Sequence, residues 1–123
     1  MLAELAHSVH SIEIVEALVQ RARALFHHLP YANLRLRQGD GYQGWAEAAP
    51  FDAILLTAAP PHVPQPLLDQ LAVGGRMVLP LGGQGPQGQV MVRILRTAEG
   101  GYQRQRLGTV RFVPMTGAVQ DGR

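Results

Sequence analysis

The first third of the chain alternates between strand-like and helix-like spacing of its hydrophobic residues. Residues 9–14 are partly apolar and rich in β-favouring side chains, which predicts a short strand. Apolar residues then recur every three or four positions over residues 15–28, which predicts an amphipathic helix that Pro30 stops. Residues 33–38 alternate leucine with arginine and predict a second strand, solvent-exposed on one face.

The middle of the chain carries longer apolar runs. Residues 51–57 are almost continuously apolar, which is typical of a strand covered on both faces. A short helix is predicted through Leu67, Leu68 and Leu71, ended by the glycine pair at positions 74 and 75. Residues 76–81 predict another buried strand.

The last part of the chain changes to strands joined by turns. We expect a loop at residues 82–88, a strand at 89–96, a turn at 99–101 and one or two strands within 102–113. Strands alternating with helices, followed by turn-linked strands, indicate an α/β domain with a mainly parallel sheet and an antiparallel C-terminal edge. The length of 123 residues fits one domain.

Charge and composition exclude several classes of partner. The formal net charge is +2 with a pI near 9.7, and every basic side chain is arginine. The arginines are scattered, without a dense basic run or interleaved aromatics, so we expect no nucleic-acid binding. The apolar runs are too short to cross a bilayer, and no signal peptide is evident. From these two absences we expect a cytoplasmic protein. There is no cysteine, which excludes disulfides and thiolate zinc sites and is compatible with a reducing compartment.

Two acidic residues follow consecutive predicted strands. Glu13 ends the first strand, where a carboxylate can accept hydrogen bonds from two ribose hydroxyls. Asp40 and Gly41 follow the next strand, where an ionised carboxylate suits an exocyclic amine such as that of adenine. Alternatively, Glu13 is an acid at a helix start, and Asp40-Gly41 is an ordinary turn. The pairing of the two positions favours a nucleoside pocket.

Small residues close the central apolar strand. They either leave room for a ligand at the edge of the sheet or permit a tight turn. They are Thr57, Ala58, Ala59 and Pro60. His7 and His10 have no carboxylate that completes a metal-ligand set, so we expect no metal site.

Five motifs, in order and at matching spacing, resemble those of protein-L-isoaspartate O-methyltransferases. They are SIEIV, QGDGYQGW, PFDAILLTAAP, LLDQLAVGGRMVLPLG and VRFVPMTG, and together they cover essentially the whole chain. The first two occur in diluted form across Rossmann-like methyltransferases, whereas DGYQGW combined with VRFVPMTG is far more specific. The resemblance implies S-adenosylmethionine as cofactor and damaged proteins or peptides with isoaspartyl residues as substrates.

The resemblance also implies roles for individual residues. Glu13 would bind the cofactor ribose, and Asp40 and Gly41 the adenine. Residues 57–60 would line the place where the sulfonium and the substrate meet, with Thr57 on the cofactor side. The substrate-binding residues would be Ala58, Ala59, Pro60, Arg111, Val113 and Pro114. Arg111 is equally well explained as a solvated arginine on a strand.

Relatives in this family have an additional N-terminal part that has no counterpart in residues 1–123. It holds a strand, a glycine-rich loop that wraps the methionine portion of the cofactor, and a Ser/Thr-containing active-site motif. The catalytic residues therefore stay unknown. We expect the 123 residues alone, a partial methyltransferase domain, to transfer no methyl group and to bind cofactor weakly, because the absent strand would be the central one.

Three alternatives compete with this interpretation. The first is another Rossmann-like methyltransferase acting on a small molecule, against which the VRFVPMTG segment argues. The second is a nucleotide-linked dehydrogenase half-domain, since Glu13 could hold an NAD ribose. The third is a non-catalytic fragment that pairs with another chain through an exposed sheet edge.

Overall fold

The computed structural model of the chain describes residues 8–26, 33–82, 88–115 and 117. The backbone divides into two compact units, Met1–Gly41 and Tyr42–Arg123. The strands are β1 (Val9–Glu13), β2 (Leu34–Gln38), β3 (Phe51–Leu55), β4 (Leu71–Leu81), β5 (Gln89–Arg96) and β6 (Tyr102–Val110). The α-helices are α1 (Glu16–Phe26) and α2 (Gln65–Asp69), and short 3-10 turns lie at Gly41–Gln43 and Ala46–Ala48.

The first unit is a β-α-β arrangement. Strands β1 and β2 pair in parallel, with register running from Val9 opposite Leu34 to Glu13 opposite Gln38. Helix α1 makes the crossover between them, and it buries Val19 to 1% exposure. The predicted strand–helix–strand order is confirmed. His27 and His28, predicted to lie in the last turn of the helix, and Pro30, predicted to stop it, lie outside the described residues.

The second unit is a four-stranded sheet in the order β3-β4-β5-β6. Strands β3 and β4 run parallel, and β4, β5 and β6 pair antiparallel in sequence. The turn between β5 and β6 closes through a hydrogen bond from the Thr97 N–H to the Gly101 carbonyl, at 2.9 Å. The α/β class with an antiparallel C-terminal edge is confirmed.

One side of this sheet holds the core of the second unit. Along β4, Met77 and Leu79 are fully buried while Arg76, which directly follows the glycines, is exposed, as the two-residue period of a strand requires. Helix α2 contributes Leu67 to the same core. The buried cluster comprises Leu56, Leu67, Leu71, Met77, Leu79, Val92 and Ile94.

The glycine pair at 74 and 75 does not end the helix, so that prediction is wrong. Helix α2 ends at Asp69, and both glycines lie inside β4. Between the Phe51–Leu71 and Ala53–Arg76 pairs, β3 advances two residues while β4 advances five. The glycines accommodate the extra residues: Gly74 has φ +80°, and a Cβ on Gly75 would lie 2.8 Å from the Ala72 carbonyl oxygen.

One further strand prediction needs correction. Strand β3 ends at Leu55 and is not covered on both faces, since Asp52, Ala53 and Leu55 are exposed, Leu55 by 56%. In the described part of the chain only β4 pairs with β3. The 102–113 segment, predicted to hold one or two strands, forms one strand, β6, which stops at Val110.

Candidate functional site

In the first unit, the two candidate acids lie at the same edge of the β1–β2 sheet. Glu13 is the last residue of β1, and its partner Gln38 is the last residue of β2, two positions before Asp40. The Gly39 N–H donates to the Glu13 carbonyl at 3.0 Å, which extends the pairing to the start of the loop. Because both strands run parallel, this is the carboxyl end at which α/β sheets bind ligands.

One oxygen of the Glu13 carboxylate is hydrogen-bonded to the backbone. Its Oε2 accepts a hydrogen bond from the Ile14 N–H at 3.0 Å, which orients the side chain at the strand end. Glu13 and Asp40 are both half-buried. Gly41 opens the 3-10 turn and does not have a positive φ, so backbone conformation alone does not require glycine there.

In the second unit, the residues after β3 meet the segment after β6. Ala59 and Pro114 form a parallel bridge. The Ala59 N–H donates to the Val113 carbonyl at 2.8 Å, and the Met115 N–H donates to the Ala59 carbonyl at 2.9 Å. The structure thus brings together two sets of residues that are more than fifty positions apart in sequence and that were both predicted to border the substrate.

The exposure of these residues differs along the paired segments. Ala59 and Pro60 are buried, whereas Val113 is 67% exposed and Pro114 is also exposed. Thr57 is exposed and Ala58 half-buried. The paired segments therefore present exposed side chains over a buried base.

Arg111 lies just beyond β6 with an exposed side chain. The next residue is fixed: the Phe112 N–H donates to the side-chain oxygen of Gln89 at 2.7 Å. Gln89 is 2% exposed. A buried amide thus holds the start of the 111–115 segment. Gln89 was not among the predicted site residues, since its sequence position beside a glycine-rich loop gives no signal of it.

Two more residues missed by the sequence predictions anchor the turn that starts the second unit. Tyr42 is 1% exposed, and its hydroxyl donates to the Met115 carbonyl at 3.0 Å. Gln70 is 8% exposed; its Oε1 accepts from the Trp45 N–H and its Nε2 donates to the Gln43 carbonyl, both at 2.9 Å. The only available signal for Gln70 was a polar residue interrupting the apolar helix pattern before Leu71.

Among the described residues, no three or more His, Cys, Asp or Glu side chains cluster so that they could hold a metal ion. His7, considered for such a set, lies outside the described residues. Neither helix in the described ranges combines the length and hydropathy needed to span a bilayer.

The sequence of the chain matches the model of a known protein family. The model for protein-L-isoaspartate(D-aspartate) O-methyltransferase (PCMT) matches residues 1–120. The chain belongs to this family. Membership decides against the dehydrogenase half-domain.

Curated members of the PCMT family are close in sequence. A protein-L-isoaspartate O-methyltransferase of Anaeromyxobacter dehalogenans is 55% identical over 117 residues, which cover 94% of this chain and 56% of the relative. One from Gloeobacter violaceus is 50% identical over 116 residues, covering 94% and 56%. The chain spans about half the length of the curated relatives that it matches.

Solved structures of PCMT proteins share the fold. A protein-L-isoaspartate O-methyltransferase superposes with a TM-score of 0.82 at 25% identity, covering 89% of this chain and 34% of the other. A Plasmodium falciparum beta-aspartate methyltransferase (PCMT) in complex with S-adenosyl-L-homocysteine gives 0.74 at 26% identity, covering 89% and 52%. These likenesses confirm the Rossmann-like methyltransferase fold.

Proposed function

We propose that this protein transfers a methyl group from S-adenosylmethionine to the carboxylate of isoaspartyl residues in damaged proteins. The observation that carries the proposal is the PCMT family match over residues 1–120. The complex of a structural relative with S-adenosyl-L-homocysteine supports the choice of cofactor. The activity, the isoaspartyl substrates and the cytoplasmic location are predictions for the whole protein.

The residues at the carboxyl end of β1 and β2 fit the nucleoside part of this cofactor. Glu13 has one oxygen on the Ile14 N–H, and its second oxygen can accept from a ribose hydroxyl. Asp40, an acceptor when ionised, suits the adenine amine beside Gly41. Thr57, exposed after β3, is the fourth proposed cofactor contact.

The proposed mechanism demands alignment from the protein rather than proton transfer. The bound cofactor supplies an electrophilic sulfonium methyl group. An isoaspartyl carboxylate is already ionised at neutral pH, so the protein needs no general base to generate the nucleophile. Its residues have to hold the carboxylate oxygen in line with the methyl group and exclude water.

The proposed substrate contacts lie along the paired segments of the second unit. The surface formed by Ala58, Ala59 and Pro60 with Val113 and Pro114 would receive the peptide around its isoaspartyl residue. Support comes from the Ala59–Pro114 bridge, which places both segments side by side. The exposed guanidinium of Arg111 would attract the substrate carboxylate.

The test is the affinity for S-adenosylhomocysteine of three single variants of the complete protein, measured by isothermal titration calorimetry. We expect Glu13→Gln and Asp40→Asn each to raise the Kd about tenfold or more, since each weakens hydrogen bonds to a charged group. Glu99→Gln, a matched change in the exposed β5–β6 turn, should leave the Kd unchanged. Methyl incorporation into an isoaspartyl peptide completes the test.

Equal affinities for all three variants would show that the acids do not hold the nucleoside. Failure of the complete protein to methylate an isoaspartyl peptide in preference to its aspartyl counterpart would refute the proposed activity itself.

A further inference from the structure

The hydroxyl of Tyr42 is attached to the segment proposed to border the substrate. It donates to the carbonyl of Met115 at 3.0 Å, across 73 positions of sequence. The ring is 1% exposed, so it is fixed by packing on all sides. The donor is therefore held in place before any ligand arrives.

Met115 connects Tyr42 to the proposed substrate surface through backbone hydrogen bonds. Its N–H donates to the Ala59 carbonyl at 2.9 Å, and the Ala59 N–H donates to the Val113 carbonyl at 2.8 Å. Met115 thus adjoins Ala59 through its amide, and the carbonyl of the same residue accepts from Tyr42. This short ladder, together with the packing of the Met115 side chain against the core, positions residues 113–115.

Side-chain packing contributes little to holding the exposed end of that ladder. Val113 is 67% exposed and Pro114 is exposed as well. At Val113 and Pro114, where few apolar contacts are available, hydrogen bonds to rigid partners hold the backbone in place. On the turn side, the two hydrogen bonds of Gln70 to Gln43 and Trp45 hold the backbone next to Tyr42.

We propose that Tyr42 is a positioning residue for substrate binding, acting through the Met115 carbonyl on residues 113–115. The inference rests on the proposed function for the role of that segment. Tyr42 does not touch the reacting atoms in this proposal. Its hydroxyl sets the backbone that receives the peptide, so its removal affects substrate affinity and spares the cofactor.

The chain offers a matched control for the Tyr42→Phe variant. Tyr102 also donates its hydroxyl to a backbone carbonyl, that of Leu68 at 3.1 Å, but at the start of the edge strand β6. Tyr102→Phe therefore removes the same atom and the same kind of hydrogen bond at a place remote in the sheet register from Ala59 and Pro114.

The experiment has two readouts on the complete protein. The first is hydrogen exchange of backbone amides: in Tyr42→Phe we expect the Met115 amide to exchange about fivefold faster or more, because the ladder loses one fixed end. The second is steady-state kinetics with an isoaspartyl peptide. We expect KM to rise about tenfold while kcat and the Kd for S-adenosylhomocysteine stay within about twofold. Tyr102→Phe should change none of these.

The two readouts distinguish a failure of the role proposed for Tyr42 from a failure of the proposed methyltransferase function. Unchanged Met115 exchange, or an unchanged KM in an active Tyr42→Phe protein, would overturn the role of Tyr42 alone. Equal effects of the two phenylalanine variants would overturn it too, since the hydroxyl would then act through general stability. Absence of methyl transfer in the unaltered protein would instead overturn the proposed function, and Met115 exchange would still report whether Tyr42 fixes the segment.

Discussion

Replacing Gly44 by alanine is expected to lower the free energy of unfolding by about 3 kcal/mol or more. Gly44 has φ +67°, a conformation that costs an L-residue about 1–2 kcal/mol. An added Cβ would lie 2.2 Å from the side-chain oxygen of Gln70. Gln70 is buried and would have to leave its hydrogen bonds with Trp45 and Gln43, each contributing about 1 kcal/mol.

The control for this prediction is Gly100→Ala. Gly100 has φ +85°, but a Cβ added there would meet no heavy atom within 4 Å, so only the backbone conformation opposes the substitution. We expect a loss of about 1–2 kcal/mol there. Urea unfolding of both variants measures the two losses. Equal losses would mean that the Gln70 side chain yields without cost and that the close approach at Gly44 is unimportant.

The periodic parts of the chain were predictable because their pattern is local. Over residues 9–38 the spacing of apolar residues changes from strand to helix to strand, and the structure follows with β1, α1 and β2. The same holds for β5 and for the turn that follows it. In each case neighbouring residues carry enough information to specify the backbone.

The glycine pair at 74 and 75 shows where local pattern fails. Glycines after a short helix favour a helix end, and nothing nearby distinguishes that role from an irregularity within a strand. The difference depends on Phe51, which pairs with Leu71. The carbonyl oxygen of Phe51 would lie 3.0 Å from a Cβ on Gly75. A tertiary contact more than twenty positions away decides the outcome.

The residues of the candidate site also fall into two groups, those that local pattern predicts and those that depend on tertiary contacts. The placement of Glu13 and Asp40 at one sheet edge follows from parallel pairing, which the alternation of elements predicts. The adjacency of Ala59 and Pro114 rested on family resemblance, since no spacing rule connects residues so far apart. Tyr42, Gln70 and Gln89 act through hydrogen bonds to distant backbone groups, and such partners have no sequence signature.

Truncating Leu79 to alanine is expected to destabilise the second unit by about 2–5 kcal/mol, because it removes buried methyl groups and leaves a cavity. Leu79 is fully buried in β4 and stands opposite Val92 of β5 within the core cluster. Leu107→Ala is the matched control, since Leu107 is 48% exposed on the edge strand β6 and should cost less than about 1 kcal/mol. Urea unfolding measures both losses, provided that the slope of the unfolding free energy against urea concentration is the same in all variants. Similar losses for the two variants would show that Leu79 does not contribute to the core as proposed. A loss of several kcal/mol is a large fraction of the stability of a domain this size, so Leu79→Ala should also shorten the time for which residues 57–60 and 113–115 stay paired.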